Sequence, residues 1–98
     1  MYAVSLRAEI KDGRIDELKE FIKNNALPSL EVPGMISIGF FNPDSTSNLG
    51  MAFLTNKEAA EIFAEERNKN LMQVADVFAS FPKVVEGEIT LGKIYQDR

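Results

Sequence analysis

Cysteine, histidine and tryptophan are all missing from the 98 residues. Without cysteine there is no disulfide, no thiolate metal site and no thiol nucleophile. Without histidine the Ser-His-Asp and Cys-His arrangements fail, because both need an imidazole to take the proton of the nucleophile. An axial imidazole for haem is excluded as well, leaving only tyrosine or a carboxylate for that role. Basic residues are few, 11 against 15 acidic ones for a net charge of -4, and they are scattered among the acids. No basic stripe forms, so no nucleic-acid partner is expected. An apolar run of roughly 18 residues, the length a bilayer requires, is also lacking, and the N-terminus has no basic stretch followed by an apolar block. A cytoplasmic protein without a membrane partner is therefore expected. Gly34 and Gly39 form neither G-x-G-x-x-G nor a P-loop, so phosphate is not cradled that way. Glu65-Glu66 and Glu86/Glu88 lack the spaced oxygens of a hard-cation loop, and neither metal nor cofactor is expected.

What is present is a globular composition, 45% hydrophobic and 27% charged, values typical of a folded chain. The length fits one domain over residues 1–98. A chain this short removes only about 60–65% of its unfolded surface from water, so association with a second copy would add to a modest core.

Tyr2, Val4, Leu6, Ala8 and Ile10 alternate with Ala3, Ser5, Arg7 and Glu9, the period of a strand with one apolar face. Lys11-Asp12-Gly13-Arg14 supplies turn chemistry. From Ile15 the spacing changes to threes and fours through Leu18, Phe21, Ile22 and Leu27, which predicts an amphipathic helix. Pro28 cannot donate to the Asn24 carbonyl, so that helix kinks or restarts near Asn24-Asn25. Pro33-Gly34 turns the chain into Met35 to Phe41, a strand apolar on both faces, with Ile36, Ile38 and Phe40 on one of them. Such a strand wants cover on both sides. Helices of one small subunit cover one face, so the simplest cover for the other is the partner of a homodimer.

Asn42 to Asn48 reads as a hairpin loop, followed by a strand through Leu49, Met51 and Phe53. Thr55 and Glu58 have the spacing of a capping box at the head of a second helix. That helix is expected to break at the polar run Glu65 to Asn70 and to resume an apolar face from Leu71 to Phe81. Val84 to Tyr95 alternates as a last strand, with Gly87 and Gly92 as bulge candidates. The order β-α-β-β-α-β predicts an α+β, ferredoxin-like fold, a four-stranded antiparallel sheet with helices on one face.

The first strand running through a Gly-led turn into Ile15-Asp16-Glu17-Leu18, the segment Pro33-Gly34-Met35-Ile36-Ser37 and the helix start Glu58-Ala59 together resemble the antibiotic biosynthesis monooxygenase-like family of dimeric α+β barrels. The likeness runs over nearly the whole chain and carries no catalytic signature. It implies two protomers packed sheet against sheet, and a pocket in each between helices and sheet. It also implies activities ranging from cofactor-free oxygenation of polycyclic phenols or quinols to haem degradation. The resemblance places Leu54 where relatives often carry Trp, Phe63 and Asn68 where they carry His, and Leu6 where the haem-degrading branch has an Asn. With all of these changed and no histidine available, haem degradation is set aside.

Asn68 is the polar candidate for the pocket, since an amide both donates and accepts; the bland alternative is a helix-break residue bonded to its own backbone. Phe63 and Leu6 are candidates for lining the cavity, with plain core as their alternative. Tyr95 is a candidate proton donor, or else a rim tyrosine with a wet hydroxyl. Arg7 and Ser5 face away from the helices if Leu6 faces them, and Arg7 is placed to pair with Glu86 or Glu88. Two functions follow. One is a homodimer binding a small apolar or aromatic, quinol-like ligand, with cofactor-free monooxygenation as its chemistry. The other is a non-catalytic dimeric module whose interior is filled by its own side chains.

Overall fold

The alternation in the first strand sets the two faces of the sheet. The computed structural model describes residues 1–93 and 95. In chain order the elements are β1 (Tyr2–Glu9), α1 (Ile15–Phe21), a π-helical turn (Ile22–Ala26), α2 (Leu27–Ser29), β2 (Met35–Phe41), β3 (Ser47–Leu54), α3 (Lys57–Gln73), a 3-10 turn (Ala75–Val77) and β4 (Lys83–Glu88). The strands form one antiparallel sheet in the order β2-β3-β1-β4, which is the ferredoxin-like arrangement. Tyr2, Val4 and Ala8 of β1 are buried under the helices, while Arg7 and Glu9 are exposed. Across the register, Asn48, Ala52 and Leu54 of β3 share the helix-covered face.

The first helical segment is kinked where Pro28 demands it. Pro28 has no N–H to give, and the chain inserts an extra residue just before it, so that the Leu27 amide reaches the Ile22 carbonyl. That π turn rotates the following face. Ala26 and Leu30 are buried, and Leu27, expected in the apolar stripe, is turned partly to solvent.

Gly34 has φ of 88°, and a Cβ built there would lie 2.6 Å from Ala59 Cβ and 2.8 Å from Thr55 Oγ1. Glycine therefore meets two demands at once, left-handed backbone and close approach to the start of α3. The Thr55 amide closes the contact on the Gly34 carbonyl at 2.9 Å. Just past this turn the register with β3 shifts between Met35 and Ser37. The irregularity breaks the expected alternation: Met35, Ile38 and Phe40 pack toward the helices, and Ile36 is exposed. It lies in β2 rather than at Gly87, which pairs in regular register with Ala3.

Four further expectations are corrected. Asn56, not Thr55, caps α3, its Oδ1 accepting from the Ala59 amide at 2.9 Å. The helix runs unbroken from Lys57 to Gln73, because Glu, Arg and Lys in the polar run are themselves good helix formers. The apolar stretch beyond it is not a helical face: after the 3-10 turn, Phe78 makes an isolated bridge to Ile10, and Phe81 is exposed. Finally, β4 ends at Glu88 instead of reaching Tyr95; Ile94, within the predicted span, lies outside the described residues.

Candidate functional site

The covered side of the sheet holds two apolar clusters. One gathers Leu54, Val4, Leu30, Ala60 and Phe63, and the other Ala8, Ile10, Leu18, Val74 and Val77. Between them lie polar side chains. Helical phase explains two of them: stepping from Ala60 and Phe63 by turns of α3 reaches Arg67, Asn70 and then Val74, so the inward stripe of the helix is polar at its middle. Asn48 meets them from β3, and it is only 3% exposed.

A cavity of about 50 Å³ sits at this junction, lined by Leu6, Leu18, Ile22, Phe40 and the polar trio Asn48, Arg67 and Asn70, among others. A second chamber of about 30 Å³ lies beyond Leu6, Leu30, Phe40 and Arg67, which line both, and reaches Phe63. A dry cavity of roughly 150 Å³ admits a benzene ring, so each chamber as shaped takes a small group, and a ring requires the two to merge. Phe40 is the side chain placed to allow it. Its ring packs where Gly50 has no side chain, since a Cβ there would fall 2.7 Å from Phe40 Cε1.

Asn70 is committed to the fold: its Nδ2 donates to Ser29 Oγ and to the Glu66 carbonyl, both at 2.8 Å. Arg67 is less so. Its side chain is 13% exposed, with Nη1 3.7 Å from Glu86 Oε2 and Nη2 donating to Asn68 Oδ1 at 3.4 Å. Arg67 Nε and Nη1 and Asn48 Nδ2 are buried without a hydrogen-bond acceptor in the protein. Glu86 also accepts from the Tyr2 hydroxyl at 3.4 Å. Burial first, and then the nearby Glu86 carboxylate, hold the Tyr2 phenol above its ordinary pKa.

Of the residues singled out from the sequence, the structure brings together Leu6 and Phe63 at the chambers. Asn68 is exposed on the outer side of α3. Tyr95 is 75% exposed, with Lys93 Nζ 5.2 Å from its ring centroid, and it does not line either chamber. Leu54, at the position of the family's Trp, is fully buried core. The structure adds Arg67, Asn70 and Asn48 to the chamber lining, and the phase of α3 from Phe63 is the sequence signal for the first two. Arg7 does not pair with Glu86 or Glu88. It lies opposite Lys83 and Leu49 on the uncovered face, whereas Glu86 sits beside Val4 on the helix side. Among the described residues no three His, Cys, Asp or Glu side chains group so as to hold a metal ion, and no helix is long and apolar enough to cross a membrane.

The uncovered face of the sheet carries Arg7 and Lys83 together with an apolar patch in which Phe41, Met51 and Val85 are each about half or more exposed. At one end of it, Met1, Ile36, Phe53 and Leu91 border an open groove of about 770 Å³.

No family model matches the sequence, and no curated protein matches it. Solved structures do match in fold. A protein of unknown function from Nitrosomonas europaea superposes with a TM-score of 0.82 at 16% identity, over 98% of this chain and 95% of that one. An antibiotic biosynthesis monooxygenase superposes with a TM-score of 0.78 at 15% identity, over 93% of this chain and 100% of its own. The monooxygenase from the ActVA-Orf6 gene of Streptomyces coelicolor, in complex with nanaomycin D, gives 0.74 at 18%, over 98% and 92%. The fold is thus the antibiotic biosynthesis monooxygenase-like α+β fold.

Proposed function

We propose that the protein works as a homodimer holding one small apolar or aromatic, quinol-like molecule per subunit between helices and sheet, and that it oxidises this molecule with dioxygen without metal or flavin. The observation that carries the reading is the divided cavity at the helix–sheet junction, apolar except for Arg67, Asn48 and Asn70. Apolar walls with a few convergent polar groups are what a small-molecule site requires. The apolar patch on the uncovered face supports the dimer, since patches of this kind mark association surfaces.

The chemistry balances without an added reductant. A phenol and one dioxygen give a quinone and one water, the substrate supplying the electrons. Protein groups then need only bind the ring, exclude water and stabilise the oxyanion that forms when the phenol loses its proton. The small volume limits the candidates to monocyclic molecules that displace Phe40, rather than polycyclic ones.

A second reading, a non-catalytic dimeric module, is favoured by one observation: the chambers together hold little more than a few water-sized groups. Aerobic incubation with monocyclic quinols separates the two. Turnover of a quinol is expected to consume one dioxygen per hydroxyquinone formed, the second oxygen atom leaving as water and no hydrogen peroxide being released. Peroxide in the amount of uncatalysed autoxidation, with no protein-dependent rate, would favour the module.

A further inference from the structure

Three nitrogens, Arg67 Nε, Arg67 Nη1 and Asn48 Nδ2, are the buried side-chain polar atoms without a hydrogen-bond partner among the described residues. All three are donors. They belong to two residues that line the same chamber, one on α3 and one on β3, and the surroundings are Leu18, Phe21, Ile22 and Val74. Buried donors left unpaired in an apolar setting are destabilising, and charged ones more so. Glu86 does not resolve this, because it stands 3.7 Å from one edge of the guanidinium and is itself partly exposed. Asn70 adds no free donor to the set, since its Nδ2 is spent on the Ser29 hydroxyl and the Glu66 carbonyl.

Donors of one kind, one of them cationic, converging in an apolar chamber define their counterpart by complementarity. We propose that the chamber selects a small apolar molecule bearing a single anionic oxygen head, a carboxylate or a phenolate, which accepts from Arg67 and Asn48 while its body lies against Leu6 and Phe40. This rests on the reading of the cavity as a ligand site and names the charge state the site prefers. A phenolate is also the form in which a phenol is rich enough in electrons to react with dioxygen, so the site would stabilise the reactive ionisation state rather than the neutral one.

The test is a titration of the full chain followed by the side-chain nitrogen signals of Arg67 and Asn48 in NMR spectra. The probes are butyrate, benzoate and 4-nitrophenolate, set against the uncharged benzamide and the cationic benzylamine. At least one anion is expected to bind saturably and to move both signals, roughly tenfold or more tightly than benzamide, as charge-assisted hydrogen bonding implies. Butyrate against benzoate reports whether a ring is admitted, and benzoate against 4-nitrophenolate reports which head is preferred. Arg67→Met is expected to lose roughly tenfold or more in anion affinity. If that variant fails to fold, Asn48→Leu, which keeps the guanidinium, is expected to weaken the same probes several-fold. Equal binding of benzamide and the anions, or anion affinity unchanged in both variants, overturns the proposal. Saturable binding of benzamide alone would remove the anion preference and leave the ligand reading standing. Binding of none of the probes would overturn the anion preference, while the ligand reading stands or falls on the quinol.

Discussion

Arg67 Nη1 on α3 lies 3.7 Å from Glu86 Oε2 on β4, and the same carboxylate accepts from the Tyr2 hydroxyl on β1. One glutamate thus ties the long helix to two strands at the side of the cavity. The distance is beyond that of a good hydrogen bond and Glu86 is partly wet, so the pair contributes about 0.5–1 kcal/mol at most. Glu86→Gln is expected to lower stability by that amount in urea unfolding.

The same substitution bears on the tyrosine. Because the folded state holds the Tyr2 phenol above its ordinary pKa of 10.0, the unfolded chain releases the proton first as pH rises. Stability therefore falls as pH climbs past the ordinary value. Removing the Glu86 charge takes away one of the causes, so the phenol is expected to titrate lower in Glu86→Gln, though burial keeps it above the ordinary value. Ultraviolet titration of the tyrosinate band, with Tyr95 replaced by Phe, reads it directly. An unchanged midpoint would place the carboxylate elsewhere in solution.

Arg14 grips two acids at the start of α1. It donates from Nε and Nη2 to both Glu17 oxygens at 2.8 Å and from Nη2 to Asp76 at 3.2 Å, joining α1 to the 3-10 turn. The hydrogen bonds from Arg14 hold Glu17 below its ordinary 4.5 and Asp76 below its ordinary 3.8. Depressed carboxylate values stabilise the fold above the ordinary pKa, and that contribution is lost as pH falls through the folded values. Arg14→Met is expected to show a shallower decline in thermal midpoint than the parent between roughly pH 5 and 2. Parallel declines would assign the acid sensitivity to other carboxylates.

Gly34→Ala combines two penalties, a left-handed backbone and a methyl pressed on Ala59. A loss of about 2–4 kcal/mol is expected from strain and overpacking together. Differential scanning calorimetry gives the value, and Ala59→Gly in the same chain is expected to relieve the contact with Ala59 only, leaving the backbone strain and the contact with Thr55.

The uncovered sheet face leads to a prediction about assembly. Replacing Met51 and Val85, both exposed there, by Lys and Asp places unpaired charges in the centre of the proposed contact, which costs association heavily. Sedimentation velocity is expected to show a dimer for the parent chain and a monomer for the double variant. A monomeric parent would contradict the homodimer.

Most of the fold was legible from periodicity. The alternation of Val4, Ala8 and Ile10 and the turn chemistry at Pro33-Gly34 point to the observed succession of elements and to the buried face of β1, because one buried face tolerates no slip in register. The illegible parts share a cause: polar residues turned inward. Glu65 to Asn70 looked like a break, because Arg67 and Asn70 occupy the buried stripe where apolar residues usually sit. Glu86 and Glu88 lie on the helix side of β4, opposite Val4 and Tyr2, where the expected pairing with Arg7 would have them on the other face. Asn68 stands where the resembled family carries histidine, whereas helix phase counted from Phe63 reaches Arg67, its neighbour. The bulge after Met35 and the π turn before Pro28 each shift a face by one residue, and neither changes the composition that a sequence pattern reads.

In the proposed function a ligand binds inside the subunit, between helices and sheet. A methyl and side-chain amide NMR titration with a monocyclic quinol under anaerobic conditions checks this. Saturable shifts confined to Leu6, Leu18, Ile22 and the Asn48 amide, with the Val85 methyls unmoved, are the expected result. Shifts that fail to saturate, or that fall on the uncovered face alone, would contradict it.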